Sequence, residues 1–461
     1  MQRLIAERAL LPDGWRRNVL LEWNDSGCLT RVDPYHAEVV DTPGIVLPGM
    51  PNLHSHAFQR AMAGLTETRS DPTDSFWSWR TLMYQFAQKL TPSTLKAIAL
   101  QLYIEMLKAG FTSVCEFHYL HHAANGQPYA NPAEHAECLI AAAAEAGIGL
   151  TLLPVLYQYS GFGAQPPHAA QARFISSPRW ILDLLQRLQH THPQHAGLRY
   201  GVAPHSLRAV SPASLRDLVD GITHWDAQAP IHIHIAEQTQ EVDDCVAALG
   251  APPVAWLLDT VGVDARWCLV HATHMTEAET AALAKSAAVA GICPSTEANL
   301  GDGFFNGAAY LAQGGAWGIG SDSHVSISLR EELRLFEYSQ RLLHRQRNVL
   351  LGNGVSVGDA SVGDSMYRSA VQGGAAASGR PIAGLTVGQQ ADLLVLDATH
   401  ADLVEKNDAQ VLDGLVFCNH GPSPVQHVMA GGRWVVRHGQ HHLDEHSMLG
   451  YRNALRFLLR E

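Results

Sequence analysis

Pro51-Asn52-Leu53-His54-Ser55-His56, read with the apolar run Gly44-Ile45-Val46-Leu47-Pro48-Gly49-Met50 before it, decides how the rest of the chain is understood. The β-branched run ending in Pro-Gly reads as a buried strand that has just stopped. Two histidines one residue apart at a strand end project their imidazoles the same way, because strand side chains alternate with period two. Two neutral imidazoles on one side of a backbone are half of a transition-metal site. The chain holds 26 histidines in 461 residues, so the pair alone decides nothing; most histidines must be surface or core residues. The other ligands have to be found elsewhere.

Working outward, strand-like apolar runs recur at Ser113–Glu116, Leu150–Leu156, Gly201–Ala203, Ile231–Ile235, Cys268–Val270, Gly291–Cys293 and Trp317–Gly320. With the run before His54 they number eight. The spacers hold alanine- and leucine-rich amphipathic helices such as Pro92–Lys108 and Glu277–Ala290. Eight alternations between 49 and 380 predict a (β/α)8 TIM-like barrel rather than an open doubly wound sheet. No GxGxxG or P-loop follows any strand, which weakens a nucleotide-binding reading.

Residues 1–48 instead show short apolar runs broken by Pro12-Asp13-Gly14 and Asn24-Asp25-Ser26-Gly27, the rhythm of a small antiparallel unit. The rhythm returns in 381–461, at Ala391–Asp397 and Val425–Val436. The expected class is therefore α/β: a catalytic barrel, 49–380, inserted in a small β-sandwich built from 1–48 and 381–461, the latter with a C-terminal helix. Ser160–Pro178 reads as a long loop, and the Gly/Ala/Ser-rich stretch Gly352–Gly379 as a mobile connection back to the sandwich.

A net charge of -12 argues against a nucleic-acid or anionic-membrane partner, either of which needs a basic face. Seven scattered cysteines with no CxxC argue for a reducing compartment. The first residues show no signal-peptide core, and the most apolar stretch, Leu139–Tyr157, is broken by Glu145, Gly147, Gly149 and Pro154. A cytoplasmic enzyme is expected. Homodimers are the commonest oligomers, so a homodimer is the expected assembly.

In a barrel, chemistry gathers at the C-terminal strand ends. The fifth strand ends Ile231-His232-Ile233-His234-Ile235-Ala236-Glu237, the sixth at His271, and the eighth runs into Gly320-Ser321-Asp322-Ser323-His324. His54, His56, His234 and Asp322 could surround one divalent ion; N3O ligation suits Zn2+, with Fe2+ as the alternative. His232 competes with His234, and the later residue is preferred because it lies nearer the open end. A two-metal site of this kind usually needs a bridging carboxylated lysine, and no lysine stands between Lys108 and Lys285. That favours one metal.

The set Pro51–His56, His234-Ile235-Ala236-Glu237, Val270-His271 and Ser321-Asp322 resembles the mononuclear deaminase branch of the amidohydrolase superfamily, barrel hydrolases with a flanking β-sandwich. Within it, His54–Leu65, Phe76-Trp77-Ser78-Trp79-Arg80, Glu116-Phe117-His118-Tyr119 and Ala203-Pro204-His205-Ser206-Leu207-Arg208 resemble the formimidoylglutamate deiminases. The resemblance implies hydrolysis of N-formimino-L-glutamate to N-formyl-L-glutamate and ammonia. It implies that Glu237 moves a proton to the leaving nitrogen and that His271 orients the nucleophile, with Asp322 accepting the proton of water. A dicarboxylate substrate needs fixed positive charge, for which Arg80 and Arg208 are the candidates. The resemblance adds Gln59, Tyr119 and His205 as hydrogen-bonding partners. Bland alternatives stand beside these: Glu237 as a helix cap, Arg80 as a solvated residue of an amphipathic helix. A deaminase of guanine, cytosine or an adenosine derivative is the rival enzyme, kept open by Phe76, Trp77 and Trp79; a non-catalytic barrel is the rival of another class.

Overall fold

The structure, a computed structural model, describes residues 2–36, 44–67, 76–351, 361–418 and 421–460. Eight parallel strands form the barrel: Met50–Ser55, Phe111–His118, Gly149–Leu156, Leu198–Tyr200 continued by Ala203–Pro204, Ile231–Ile235, Trp267–His271, Val289–Ile292 and Ala316–Ile319. Almost every residue in them is buried, as expected of a parallel sheet covered by helices on one face and filled by its own side chains on the other. The hydrogen-bonded ladders form two arcs, strands one to four and five to eight. Bridges Val202–Ile231 and Ser55–Asp322 join the arcs into a ring. At the second seam Asp322 N–H donates to His54 O at 3.0 Å, and His56 N–H to Asp322 O at 3.2 Å.

The two chain ends meet in one eight-stranded sheet. Its order is Gln440–His441, Arg433–Arg437, Val425–Ala430, Leu393–Leu396, Ile45–Pro48, Gln2–Leu11, Gly14–Trp23 and Leu29–Pro34. Pairing is antiparallel except where Ile45–Pro48 lies parallel to Gln2–Leu11. Trp23, Leu21, Val46, Leu393 and Met429 pack a separate small core on this sheet. Helix Asp444–Leu458 ends the described chain.

Two expectations need correction. The run Gly44–Met50 is not the barrel strand: Ile45–Pro48 belongs to the end sheet, and the barrel strand is Met50–Ser55 itself. Pro-Gly here switches sheets instead of stopping a strand. Gly49 makes the switch possible, since a Cβ there would sit 2.3 Å from the Thr112 side chain. The second correction concerns Gly352–Gly379. Residues 352–360 lie outside those described, but Val362–Ser378 is a buried helix with Ser361 as its N-cap. Its glycines serve close packing: a Cβ at Gly373 would lie 1.9 Å from Trp317 O, and one at Gly374 2.8 Å from Pro51. The helix backbone therefore rests directly on the first and eighth strands. Ser160–Pro178 is tied down as well. Its turn Ala169–Phe174 buries Arg173, whose guanidinium donates to His122 O and Leu90 O at 2.9 Å each. Among the described residues no helix is long and apolar enough to cross a membrane.

Candidate active site

Three imidazoles converge at the C-terminal mouth. His54 is in the first strand, His56 one residue past it, and His234 in the fifth. His54 Nε2 lies 2.9 Å from His234 Nε2 and 3.2 Å from His56 Nε2. His56 Nδ1 faces Phe117 O at 3.0 Å and His234 Nδ1 faces His205 O at 3.2 Å, so both Nδ1 atoms carry the hydrogen and both Nε2 atoms present lone pairs. Asp322, at φ +45° beyond the eighth strand, brings Oδ1 to 3.5 Å from His54 Nε2 and 3.4 Å from His56 Nε2. Burial holds all three histidines neutral, pushing His56 down to about 3 and His54 and His234 well below the usual imidazole range. With its hydrogen on the unpartnered Nδ1, His54 would add a third Nε2 lone pair, and three lone pairs converging in this way suit a cation. His232 points to the same face but one layer deeper, where its Nε2 meets Ala377 O at 2.8 Å.

A polar chain beneath this cluster was not anticipated. Asn52 Nδ2 donates to Ser321 Oγ at 2.7 Å, and Ser321 Oγ lies 2.9 Å from His324 Nδ1. His324 Nε2 meets Ser55 Oγ at 3.0 Å, and Ser55 donates to Glu116 Oε2 at 2.6 Å. Glu116 Oε1 accepts from the Ala57 N–H at 2.7 Å, fixing the turn that carries His56. Burial raises Glu116 to about 7 despite these donors. The run therefore ties together two of the three strands that carry candidate ligands, the first and the eighth.

His271 closes the sixth strand at φ +68°. Its Nε2 lies 3.8 Å from Asp322 Oδ2 and 3.9 Å from Glu237 Oε1, while Nδ1 faces Glu297 Oε1 at 3.2 Å. Burial works against charge on the ring, but Glu237, Glu297 and Asp322 prevail and push it up to about 10. Burial likewise raises Asp322 to about 7, opposed by His271 and assisted by Glu237 and Glu297. Glu297 was missed from sequence. It lies on the short helix Pro294–Leu300 after the seventh strand, where Cys293 N–H also donates to it at 2.9 Å. A carboxylate in the first turn after a barrel strand was the signal available.

A cavity opens above these groups. Gln59, Arg80, Tyr119, His205, Arg208, Glu237, His271 and Asp322 all line it, with His56 and His234, while His54 lies fully buried beneath. Arg80 belongs to helix Phe76–Lys89 and lies over the Trp77 ring at 4.5 Å and the Tyr84 ring at 5.6 Å. Arg208 Nη1 pairs with Glu241 Oε2 at 3.2 Å, and Nη2 is 4.0 Å from Glu237 Oε2. Gln59 Nε2 donates to Tyr119 OH at 3.1 Å. Phe76, Trp79, Tyr84 and Tyr157 also line the cavity, beside Met83, Phe174 and Leu300, and the two tyrosines had gone unnoticed.

Comparison with known proteins agrees with this geometry. The model of the Amidohydrolase family matches residues 45–435. Formimidoylglutamate deiminase of Pseudomonas aeruginosa is 52% identical over 461 residues, all of both chains. An amidohydrolase crystal structure from Brucella melitensis superposes with TM-score 0.91 at 47% identity, covering both chains completely. An adenosine deaminase structure from Xanthomonas campestris, with bound zinc, shares the fold at TM-score 0.78 and 20% identity over 99% of this chain and 97% of its own. A barrel closed on a histidine cluster and a full-length likeness at this level lead to one statement: the chain belongs to the amidohydrolase family.

Proposed function

We propose that this enzyme hydrolyses N-formimino-L-glutamate to N-formyl-L-glutamate and ammonia. The observation that carries the reading is one cavity with two unlike ends. Three lone-pair imidazoles and Asp322 stand at one end, and Arg80 and Arg208 reach the other. The 52% identical deiminase supports it over the whole length.

His54, His56, His234 and Asp322 would hold one divalent ion, Zn2+ by preference for three nitrogens and one oxygen, with Fe2+ as the alternative. His54 Nδ1 is buried without a partner, so nothing in the protein competes for the proton arrangement that coordination through Nε2 requires. When bound, such an ion supplies a Lewis acid that makes water nucleophilic near neutral pH. Asp322 takes the proton that water loses as it attacks the formimino carbon. Glu237, 3.9 Å from His271 Nε2 and facing the cavity, takes water's second proton and passes it to the nitrogen, Asp322 returns the first, and the nitrogen, now with two added hydrogens, leaves as ammonia. His271, held charged by three carboxylates, directs an N–H at the developing oxyanion. Gln59, Tyr119 and His205 position the substrate between the ends.

The division of labour between a barrel, 49–380, and an end unit, 1–48 with 381–461, belongs to the same reading, as do a cytoplasmic homodimer and a single metal. The heterocyclic-deaminase alternative keeps Phe76 and Trp79 in its favour, ring centroids 6.2 Å apart and stacked on the cavity wall. Two arginines in that cavity weigh against it. Metal content together with ammonia release from N-formimino-L-glutamate, guanine and S-adenosylhomocysteine separates the readings. Turnover of either heterocycle with none of the formimino compound would overturn the assignment.

A further inference from the structure

Tyr84, on helix Phe76–Lys89, and Tyr157, just past the third barrel strand, put two buried hydroxyls on the cavity wall. Their oxygens are 3.2 Å apart. Gln171, fully buried on the turn Ala169–Phe174, faces both. Its Oε1 accepts from His168 N–H at 2.7 Å, which fixes the direction of the amide. Nε2 therefore points at the tyrosines and donates to Tyr157 at 2.7 Å and Tyr84 at 3.2 Å. An amide nitrogen has two hydrogens, and both are now used.

The proton count that follows is restrictive. The two phenols carry one O–H each, and only one hydrogen fits between the oxygens. The other has no protein acceptor among the described residues, and both side chains border the cavity. This corner thus offers a neutral O–H beside two guanidiniums, Arg80 lying over the Tyr84 ring at 5.6 Å. Donors gathered in this way suit a ligand group that only accepts, which is a carboxylate.

We propose that Tyr84 and Tyr157, oriented by Gln171, form with Arg80 and Arg208 a subsite for one carboxylate of the substrate. The proposal rests on the dicarboxylate reading above. Its test compares wild type with Tyr84→Phe, Tyr157→Phe and the double variant. Each is assayed on N-formimino-L-glutamate and on two analogues that lack one carboxylate or the other, and glutarate binding is measured by calorimetry. The double variant should raise KM for the dicarboxylate and Kd for glutarate by about tenfold or more, the size of a hydrogen bond to a charged group. Its kcat should stay within about twofold, and one analogue should be indifferent because it lacks the carboxylate concerned. Each single variant leaves one O–H free to face the cavity, so the effect should be smaller, about threefold. If the double variant does not fold, the singles carry the same comparison. Equal effects on all three substrates, an unchanged glutarate Kd, or no glutarate binding by wild type would overturn the subsite. Tyrosine-dependent glutarate binding without ammonia release from N-formimino-L-glutamate would overturn the substrate assignment and leave the subsite standing.

Discussion

The two ends of the cavity are built on different rules. At the metal end, every candidate ligand stands on or just past a barrel strand: His54 and His56 on the first, His234 on the fifth, Asp322 on the eighth. The three histidines there neighbour one another and backbone carbonyls, and Asp322 stands beside His271 with its carboxylates Glu237 and Glu297. At the anion end, Arg80 and Tyr84 come from a helix before the second strand, Gln171 from a turn inside a long loop, and Arg208 from past the fourth strand. Two guanidiniums stand there; Arg80 leans on rings of its own helix, while Arg208 pairs with Glu241 and Tyr84 with Gln171 from other segments. On the proposed function, rigid strand ends would set the geometry of the chemistry, while loops and helices would set what is admitted.

Variants at the two ends should therefore fail in different ways. His234→Ala should empty the metal site and cut activity by roughly a thousandfold or more, read by elemental analysis beside kcat. A full metal complement in that variant would break the assignment of the floor. Glu237→Gln should lower kcat by about a hundredfold to ten-thousandfold with metal content intact; loss of metal would move Glu237 to the other side of the comparison. Arg208→Ala belongs to the anion end, and its KM for the dicarboxylate should rise by about a hundredfold. An unchanged KM would dissolve the distinction. Glu297→Gln keeps the shape at His271 but removes a charge, so kcat should fall about tenfold while KM and metal stay put. The smallest catalytic effect is expected from Gly373→Ala, which touches neither end. Its new methyl meets Trp317 O, and the melting temperature should drop by about 1–3 °C, consistent with about 1–3 kcal/mol of overpacking.

The same contrast explains what could be read from the chain. Period-two spacing and position after a strand exposed His54, His56, His234 and Asp322, because those rules act over a few residues. They also separated His234 from His232, which the structure finds one layer down. Arg80 and Arg208 were reached through chemistry, from the need of a dianion for fixed charge. Glu297, Glu116, Tyr84, Tyr157 and Gln171 stayed hidden, since each gains meaning only from a partner that the fold brings near. Glu116 and Ser55 are 61 residues apart in sequence, Gln171 and Tyr84 are 87 apart. The fold itself was legible as eight alternations. The exact start of the first strand was not, because Pro48-Gly49 looks the same whether a strand ends or passes from one sheet to another.

The seam between the first and eighth strands has a consequence for the life of the chain. It joins Asn52 to Ser321 across 269 residues, and candidate ligands stand on both sides of it. A ribosome must therefore complete nearly the whole barrel before the four donors can share an ion. Partly made or truncated chains would offer at most three histidines and no aspartate, and long-range closure of this kind comes late in folding. An ion held by all four candidate donors would therefore report that the chain had been made past Asp322 and that the seam had closed.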